Sequence, residues 1–273
     1  MAITTLDGLV SALGNNSTRV VIDKASLANA AAGQQFSLWS ATGIPAQGAI
    51  PGAAAVCNNA LTGAIGFAQQ TAPATSYFAW LRAFTANATM QVEIHDRLAH
   101  MGGLNGTLLT AQTVGVDITG TSDNLAERRG DSNYSDVTWW LEWYTDTGAT
   151  ASNATVNVTY DDASSGNLAV IAVGGTVRAG RLIQLTPAVN GRFIRAVNTV
   201  TLSASTGTAG SFGVTATRAR AAVDTTLANL ATANDWAALG LPEIYNSSCL
   251  FPLVTCSTTS TGIVRGQGKI AHG

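Results

Sequence analysis

Hydrophobic and polar residues alternate most regularly between Tyr134 and Asp161. Two runs of alternate residues would each share one face: Val137, Trp139, Leu141 and Trp143, then Ala154, Val156, Val158 and Tyr160. A period of two residues is the period of a β-strand. The connection 145–152 has Gly148 near its middle and is typical of a turn. We therefore predict a β-hairpin that forms the nucleus of a β-sandwich core.

The opposite face of the first strand is also informative. It would present Thr138, Trp140, Glu142 and Tyr144 to solvent. An acid beside exposed aromatic rings is typical of a sugar-binding face, and equally of a subunit interface, where aromatic residues are enriched. The scarcity of charge in the chain favours the interface, so Trp140 and Tyr144 are predicted interface residues.

The remaining pattern predicts two short helices and about eight to ten strands in all. Residues 4–13 predict a helix capped by Thr4 or Thr5, and residues 224–234 predict a second. Strand patterns cover 19–25, 76–86, 88–98, 167–175, 181–187, 192–205 and 210–219, with two more in the tail. The pair 76–86 and 88–98 is separated by a hairpin-length turn. The predicted fold is mainly β, an antiparallel, jelly-roll-like β-sandwich with extended N- and C-terminal arms.

Residues 25–81 carry no charge and are interrupted by glycine and proline. We interpret this stretch as an extended arm that packs on its own domain or on a neighbouring subunit, with Phe36 and Trp39 as interface anchors. The predicted organisation is a helix and arm over 1–75, a sandwich over 76–222, and a helix and strand-forming tail over 223–273.

Composition narrows the function. Charged residues make up 11% of the 273 residues, against roughly 25% in an ordinary soluble domain. A surface so poor in charge favours burial against other subunits, so we predict a homo-oligomer. The net charge of −2 argues against binding to nucleic acid. No apolar run is typical of a transmembrane helix, and the N-terminus does not have the pattern of a secretory signal.

Candidate chemistry is sparse. His95, Asp96 and His100 lie close together, but the spacing of the two histidines differs from that of a helical zinc pair, and a continuous strand would place them on opposite faces. We predict structural roles for them, with no catalytic residue, metal or cofactor. Three cysteines suggest reduced thiols, although a Cys249–Cys256 bridge remains open.

Several long segments resemble one family. They are MAITTLDGLVSAL, DRLAHMGGLNGTLLTAQTV, SDVTWWLEWYTDTGATASNATVNVTY, SASTGTAGSFGVTATR, DWAALGLP and STTSTGIVRGQGKIAHG. Together they resemble a group of uncharacterised tailed-bacteriophage virion proteins. The resemblance implies a structural particle protein made in the host cytoplasm, either a head decoration (cement) protein or a tail or baseplate component. It carries over no functional residues.

The resemblance also implies partners. These would be other virion proteins, above all the major capsid protein, and a trimer would suit the local threefold positions of a capsid lattice. Two further hypotheses remain: a carbohydrate- or receptor-binding module that uses Trp140 and Tyr144, and, behind it, a polysaccharide hydrolase.

Overall fold

The computed structural model describes residues 3–28, 30–87 and 90–273. Within these residues the helices are α1 Leu6–Asn15, α2 Leu125–Arg128 and α3 Trp236–Leu239, with a 3-10 helix at Ser122–Asn124. The first strands are β1 Ser17–Lys24, β2 Gln35–Ser37, β3 Gly43–Ile44, β4 Ala55–Val56, β5 Ser76–Thr85, β6 Met90–Asn105, β7 Gln112–Asp117 and β8 Thr138–Trp143. The later strands are β9 Asn153–Tyr160, β10 Ser165–Asn167, β11 Ile171–Ala172, β12 Arg181–Leu185, β13 Ile194–Leu202, β14 Ser211–Thr225, β15 Thr232–Asn234, β16 Leu250–Thr255 and β17 Val264–His272.

The chain divides into two compact units, neither of which is continuous in sequence. Unit 1 comprises 1–49, 58–96 and 219–273, and unit 2 comprises 50–57 and 97–218. This division differs from the predicted 1–75, 76–222 and 223–273. The physical reason is that β1 pairs along its whole length with β17, so the first and last strands belong to one sheet.

Unit 1 is built from two layers of antiparallel strands. Sheet A has the order β15-β5-β17-β1-β3. The other layer places β16 between β2 and the first part of β6. Val20 and Ile22 of β1 and Val92 and Ile94 of β6 lie in one buried apolar cluster, which is the core of this unit. Alternate residues of each strand point inward, as the period of two requires.

Unit 2 is a second sandwich. One sheet has the order β10-β9-β13-β7, with β11 also on β9, and the other places β8 between β14 and β12. Trp139, Leu141 and Trp143 share the core with Val156 and Val158, as the alternation predicted. Two packed antiparallel sheets with a few short helices confirm the mainly β, sandwich class of fold.

The predicted hairpins are wrong, although their strands exist. β8 pairs with β12 and β14, whereas β9 pairs with β13, so the two strands lie in different sheets. The connection between them does not fold back on itself, because Thr147 N–H donates to Val177 O and Thr150 N–H donates to Thr206 O. Likewise β5 pairs with β17 and β6 with β16. The predicted turn of this pair includes Ala88, which lies outside the described residues.

The two predicted helices had opposite outcomes. α1 is confirmed, and Thr5 Oγ1 accepts a hydrogen bond from Gly8 N–H as its cap. The helix predicted at 224–234 is wrong, because β14 runs to Thr225 and β15 occupies 232–234. Leu227 and Leu230, the expected apolar face, are 60% and 51% exposed, so burial of that face does not stabilise a helix there.

The part of the uncharged stretch that follows β1 packs within unit 1. β2 pairs with β16, and Phe36, Leu38 and Trp39 are buried. Lys24 lies at the end of β1, and its ammonium donates to Ala41 O at 2.9 Å and to Ala46 O at 3.5 Å. A charge from outside the stretch therefore orders the uncharged segment, and packing on its own domain is the alternative that the structure shows.

Candidate functional site

The densest group of polar side chains in unit 2 is buried. It consists of Arg97 and His100 on β6, Glu142 and Tyr144 at the end of β8, and Thr215 on β14. Arg97 and Glu142 are each 0% exposed. On a strand that is covered on both faces the side chains of both faces are buried, so charges on such strands must pair with each other. We call these five residues the Arg97 cluster.

The cluster is held by a two-pronged ion pair. Arg97 Nη1 lies 2.6 Å from Glu142 Oε2, and Nη2 lies 2.9 Å from Oε1. Thr215 Oγ1 accepts from Arg97 and donates to Glu142. His100 Nδ1 lies 2.9 Å from Arg97 Nη1 and accepts that hydrogen bond, because a guanidinium only donates. Hydrogen bonds therefore join Arg97, His100, Glu142 and Thr215 in one buried network.

The protonation states follow from this geometry. Burial alone would lower the pKa of Arg97, but the charge and hydrogen bonds of Glu142 outweigh burial and hold that pKa above its usual value. Burial, and then the charge of Glu142, raise the pKa of the Tyr144 hydroxyl, which stays neutral and donates to Glu142 Oε2 at 3.3 Å. A general acid or base needs a pKa near the working pH and access to substrate. The pKa values of Arg97 and Tyr144 are shifted away from neutral pH, and the side chains of the cluster are buried away from substrate, so its geometry fits a structural role.

A second polar group lies in unit 1. Asp96 accepts from Ser248 Oγ at 2.9 Å and from Cys249 N–H at 2.8 Å, and Arg220 Nη2 lies 3.8 Å away. The Arg220 guanidinium also lies 5.6 Å from the centre of the Tyr245 ring. His95 Nε2 contacts Glu93 Oε2 at 2.9 Å. These contacts, together with that of His100 in the Arg97 cluster, support the structural roles predicted for His95, Asp96 and His100.

Phe36 and Trp39, the predicted anchors on another subunit, lie inside unit 1. They are 0% and 1% exposed. Trp39 packs edge-on against Phe251, with ring centres 6.0 Å apart, and its indole N–H donates to Ala49 O at 2.8 Å. Since the chain's own residues already cover these rings, they offer no exposed ring to a neighbour in this conformation.

Trp140 and Tyr144 are also buried, which corrects the predicted exposed face of β8. They are 2% and 6% exposed, and the indole N–H of Trp140 donates to Thr217 Oγ1 at 2.8 Å. The polarity of Glu142 predicts an exposed face, but the Glu142 carboxylate is neutralised by Arg97 within the interior. A sugar-binding face made of Trp140 and Tyr144 is therefore absent.

Arg97 is the residue that the sequence reasoning missed. In the sequence it lies between His95 and His100, whose types suggest metal or acid–base chemistry, whereas no pattern singles out the arginine. The available signal was Glu142 in the middle of a strand otherwise made of large apolar residues. That pattern calls for a cation on a neighbouring strand but does not say which one.

Three kinds of feature are absent from the part of the chain that the structure describes. It contains no group of three or more His, Cys, Asp or Glu side chains that could hold a metal ion. None of the three cysteines forms a disulfide, so the Cys249–Cys256 bridge is absent. Among the described helices, not one is long and apolar enough to cross a membrane.

Comparisons with known proteins add little. No family model matches the chain, and no curated protein matches it. Among solved structures, it is similar to T=1 particles derived from infectious bursal virus, with 11% identity, a TM-score of 0.19, and coverage of 94% of this chain and 76% of that chain. It is also similar to VP2 of infectious bursal disease virus in a subviral particle, with 12% identity, a TM-score of 0.18, and coverage of 94% and 79%. At these TM-scores the similarity carries no argument about fold or function.

Proposed function

We propose that this protein is a structural subunit of a tailed-phage virion, and that it decorates and stabilises the capsid as a cement protein. The proposal rests on one observation, the poverty of charge on the surface. It assigns no catalytic residue, and its mechanism is mechanical: subunits bury apolar and hydroxyl-rich surface against each other and against the shell.

The fold removes some of the few charged residues from the surface. Of 30 charged residues, six lie in the interior: Lys24, Asp96, Arg97, Arg128, Glu142 and Arg220. Only 24 remain for an accessible surface of 10901 Å². A surface on which about 25–35% of the residues are charged keeps a small domain soluble. A surface without that protection favours permanent contact with other molecules.

Exposed apolar side chains occur in several separate places. Pairs close in sequence are Leu6 and Val10 on α1, Leu108 and Leu109 after β6, and Leu227 and Leu230 after β14. Single exposed apolar residues are ordinary, whereas several small patches suit a subunit with several neighbours. Many weak contacts on one shell add up through multivalency, which is how a cement protein would act.

Binding to empty shells tests the proposal. Purified protein should sediment with shells built from the major capsid protein alone and raise the temperature at which those shells disrupt. Light scattering should show a homo-oligomer, with a trimer expected. A stable monomer without affinity for shells would refute the proposal. Labelled protein found on the tail or baseplate would refute the decoration role while preserving the virion role.

A further inference from the structure

The outer face of sheet A in unit 1 carries an ordered array of cations and rings. Residues paired directly across antiparallel strands project to the same side of a sheet. The register gives three rows across β1, β17 and β5: Arg19, Lys269 and Trp80; Val21, Gln267 and Arg82; Asp23, Arg265 and Phe84. Their neighbours along the strands, such as Ile22 and Leu81, point into the core. We call these nine side chains the sheet A array.

Positive charge in unit 1 is concentrated in this array. The unit has six lysines and arginines, of which Lys24 and Arg220 are buried. The other four are Arg19, Arg82, Arg265 and Lys269, and all four belong to the array. Of the unit's seven acidic residues, only Asp23 is a member. The array therefore has a net charge of +3 in a unit whose net charge is −1.

Contacts within the protein use only part of this charge. Lys269 Nζ donates to Leu13 O at 2.9 Å, and Arg265 Nε donates to Asp23 Oδ1 at 3.1 Å. Arg19 and Arg82 form no ion pair with any residue that the structure describes. A groove of about 240 Å³ lies on the same face, lined by Val21, Asp23, Arg82, Phe84, Arg265 and Gln267.

We propose that the sheet A array binds an extended, acidic polypeptide segment. Arg265, Arg82 and Lys269 alternate between β17 and β5 in successive rows, and such diagonal neighbours are about 7–8 Å apart. Carboxylates at alternate positions of an extended chain are separated by about 6.6–6.8 Å. The two spacings match closely enough for three consecutive ion pairs. The rings of Trp80 and Phe84 flank Arg82 and give the segment apolar contact.

Nucleic acid fits the array less well. Its recognition relies on a basic field that follows many phosphates. Here the field comes from four cations with a carboxylate among them, on a protein of net charge −2. The assignment of an acidic polypeptide does not depend on the virion role, because it follows from the register and charges of sheet A alone.

A blocked peptide of about ten residues that alternates glutamate and threonine provides the test, with a glutamine-for-glutamate peptide as its control. Binding is measured by calorimetry and by the change in Trp80 fluorescence, with Trp80→Phe identifying that signal. We expect the glutamate peptide to bind and the glutamine peptide to bind about tenfold more weakly or not at all. Raising the salt concentration should weaken binding, because it screens exposed charges.

Variants locate the binding face. Arg82→Glu combined with Arg265→Glu should weaken binding about tenfold or more, since both substitutions reverse a charge at the groove. Arg192→Glu, at a partly exposed arginine of unit 2, is the control and should leave binding unchanged. Circular dichroism verifies that each variant is folded. Equal binding of both peptides, an unaltered affinity of the double variant, or tighter binding of a thymidine oligonucleotide than of the acidic peptide would each overturn the proposal.

Discussion

The guanidinium of Arg97 donates hydrogen bonds to both carboxylate oxygens of Glu142, at 2.6 and 2.9 Å, in the interior of unit 2. A buried pair of this kind is costly to break, because the surviving charge has no solvent to stabilise it. Compared with an apolar pair of similar volume, the intact ion pair adds much less to the free energy of unfolding. The relationship therefore predicts a strong coupling between the two side chains.

Breaking this pair from one side should destabilise the protein. We expect Arg97→Met and Glu142→Leu each to lower the free energy of unfolding by about 3–5 kcal/mol, because each leaves one buried charge. The double variant should lose much less than the sum of the two. Urea unfolding measures all three. Additive losses would show that the pair is not the coupled unit that its geometry indicates.

The burial of both faces of β8 predicts similar effects for its tryptophans. Trp139→Ala and Trp140→Ala should each cost about 3–5 kcal/mol, since each removes a large buried side chain. The two residues are both 2% exposed. Trp236, which is 37% exposed, is the control, and Trp236→Ala should change stability by less than about 1 kcal/mol. A small loss for Trp140→Ala would restore the exposed face that the alternation alone predicted.

Lys24 should make stability depend on pH. Burial lowers its pKa from the ordinary 10.5 to about 8 in the folded protein. Between these values the unfolded chain binds more protons, so stability rises with pH, whereas below the lower value both states are protonated and the effect is flat. At about 1.4 kcal/mol per pKa unit, the wild type should gain at most about 3 kcal/mol relative to Lys24→Met across this window. A difference that stays constant or falls would contradict the prediction.

Gly48 should not tolerate a side chain. A Cβ at this position would lie 2.1 Å from Trp39 Cε2, so Gly48→Ala should displace the indole and cost about 1–3 kcal/mol. Gly66 has open space around it, which makes Gly66→Ala the control. Urea unfolding and tryptophan fluorescence report both effects. Equal stability of the two variants would mean that the segment around Trp39 shifts to accommodate the methyl group without loss of stability.

The sequence predicted where strands lie better than it predicted which strands pair with each other. Alternation located β1, β5, β8 and β9 because a period of two is a local property. It could not show that β8 pairs with β12 and β14, because the same alternation suits any neighbour. The same limit explains the discontinuous units, since the pairing of β1 with β17 joins residues about 250 positions apart, such as Ser17 and Ala271.

Polar residues on fully covered strands caused the errors at the site. In the sequence of β8, Glu142 shares a face with Trp140, and its polarity alone predicts that this face is exposed. The structure places Arg97 against that carboxylate, and both charges disappear from the surface. In the same way, the concentration of Arg19, Arg82, Arg265 and Lys269 on one face depends on register, which no local pattern specifies.

The position of β17 in the middle of sheet A sets the order in which the protein can fold during translation. β1 and β5 can pair through this sheet only when β17 is present between them. About 240 residues separate Lys24 from Val264, which at roughly 5–20 residues per second is a wait on the order of 10–50 s. Nascent chains in which residue 218 has emerged and residue 264 has not should therefore protect unit 2, but not unit 1, from protease. Until β17 is made, the edge of β1 and, once it is synthesised, that of β5 are open to other chains on the same polysome and to chaperones.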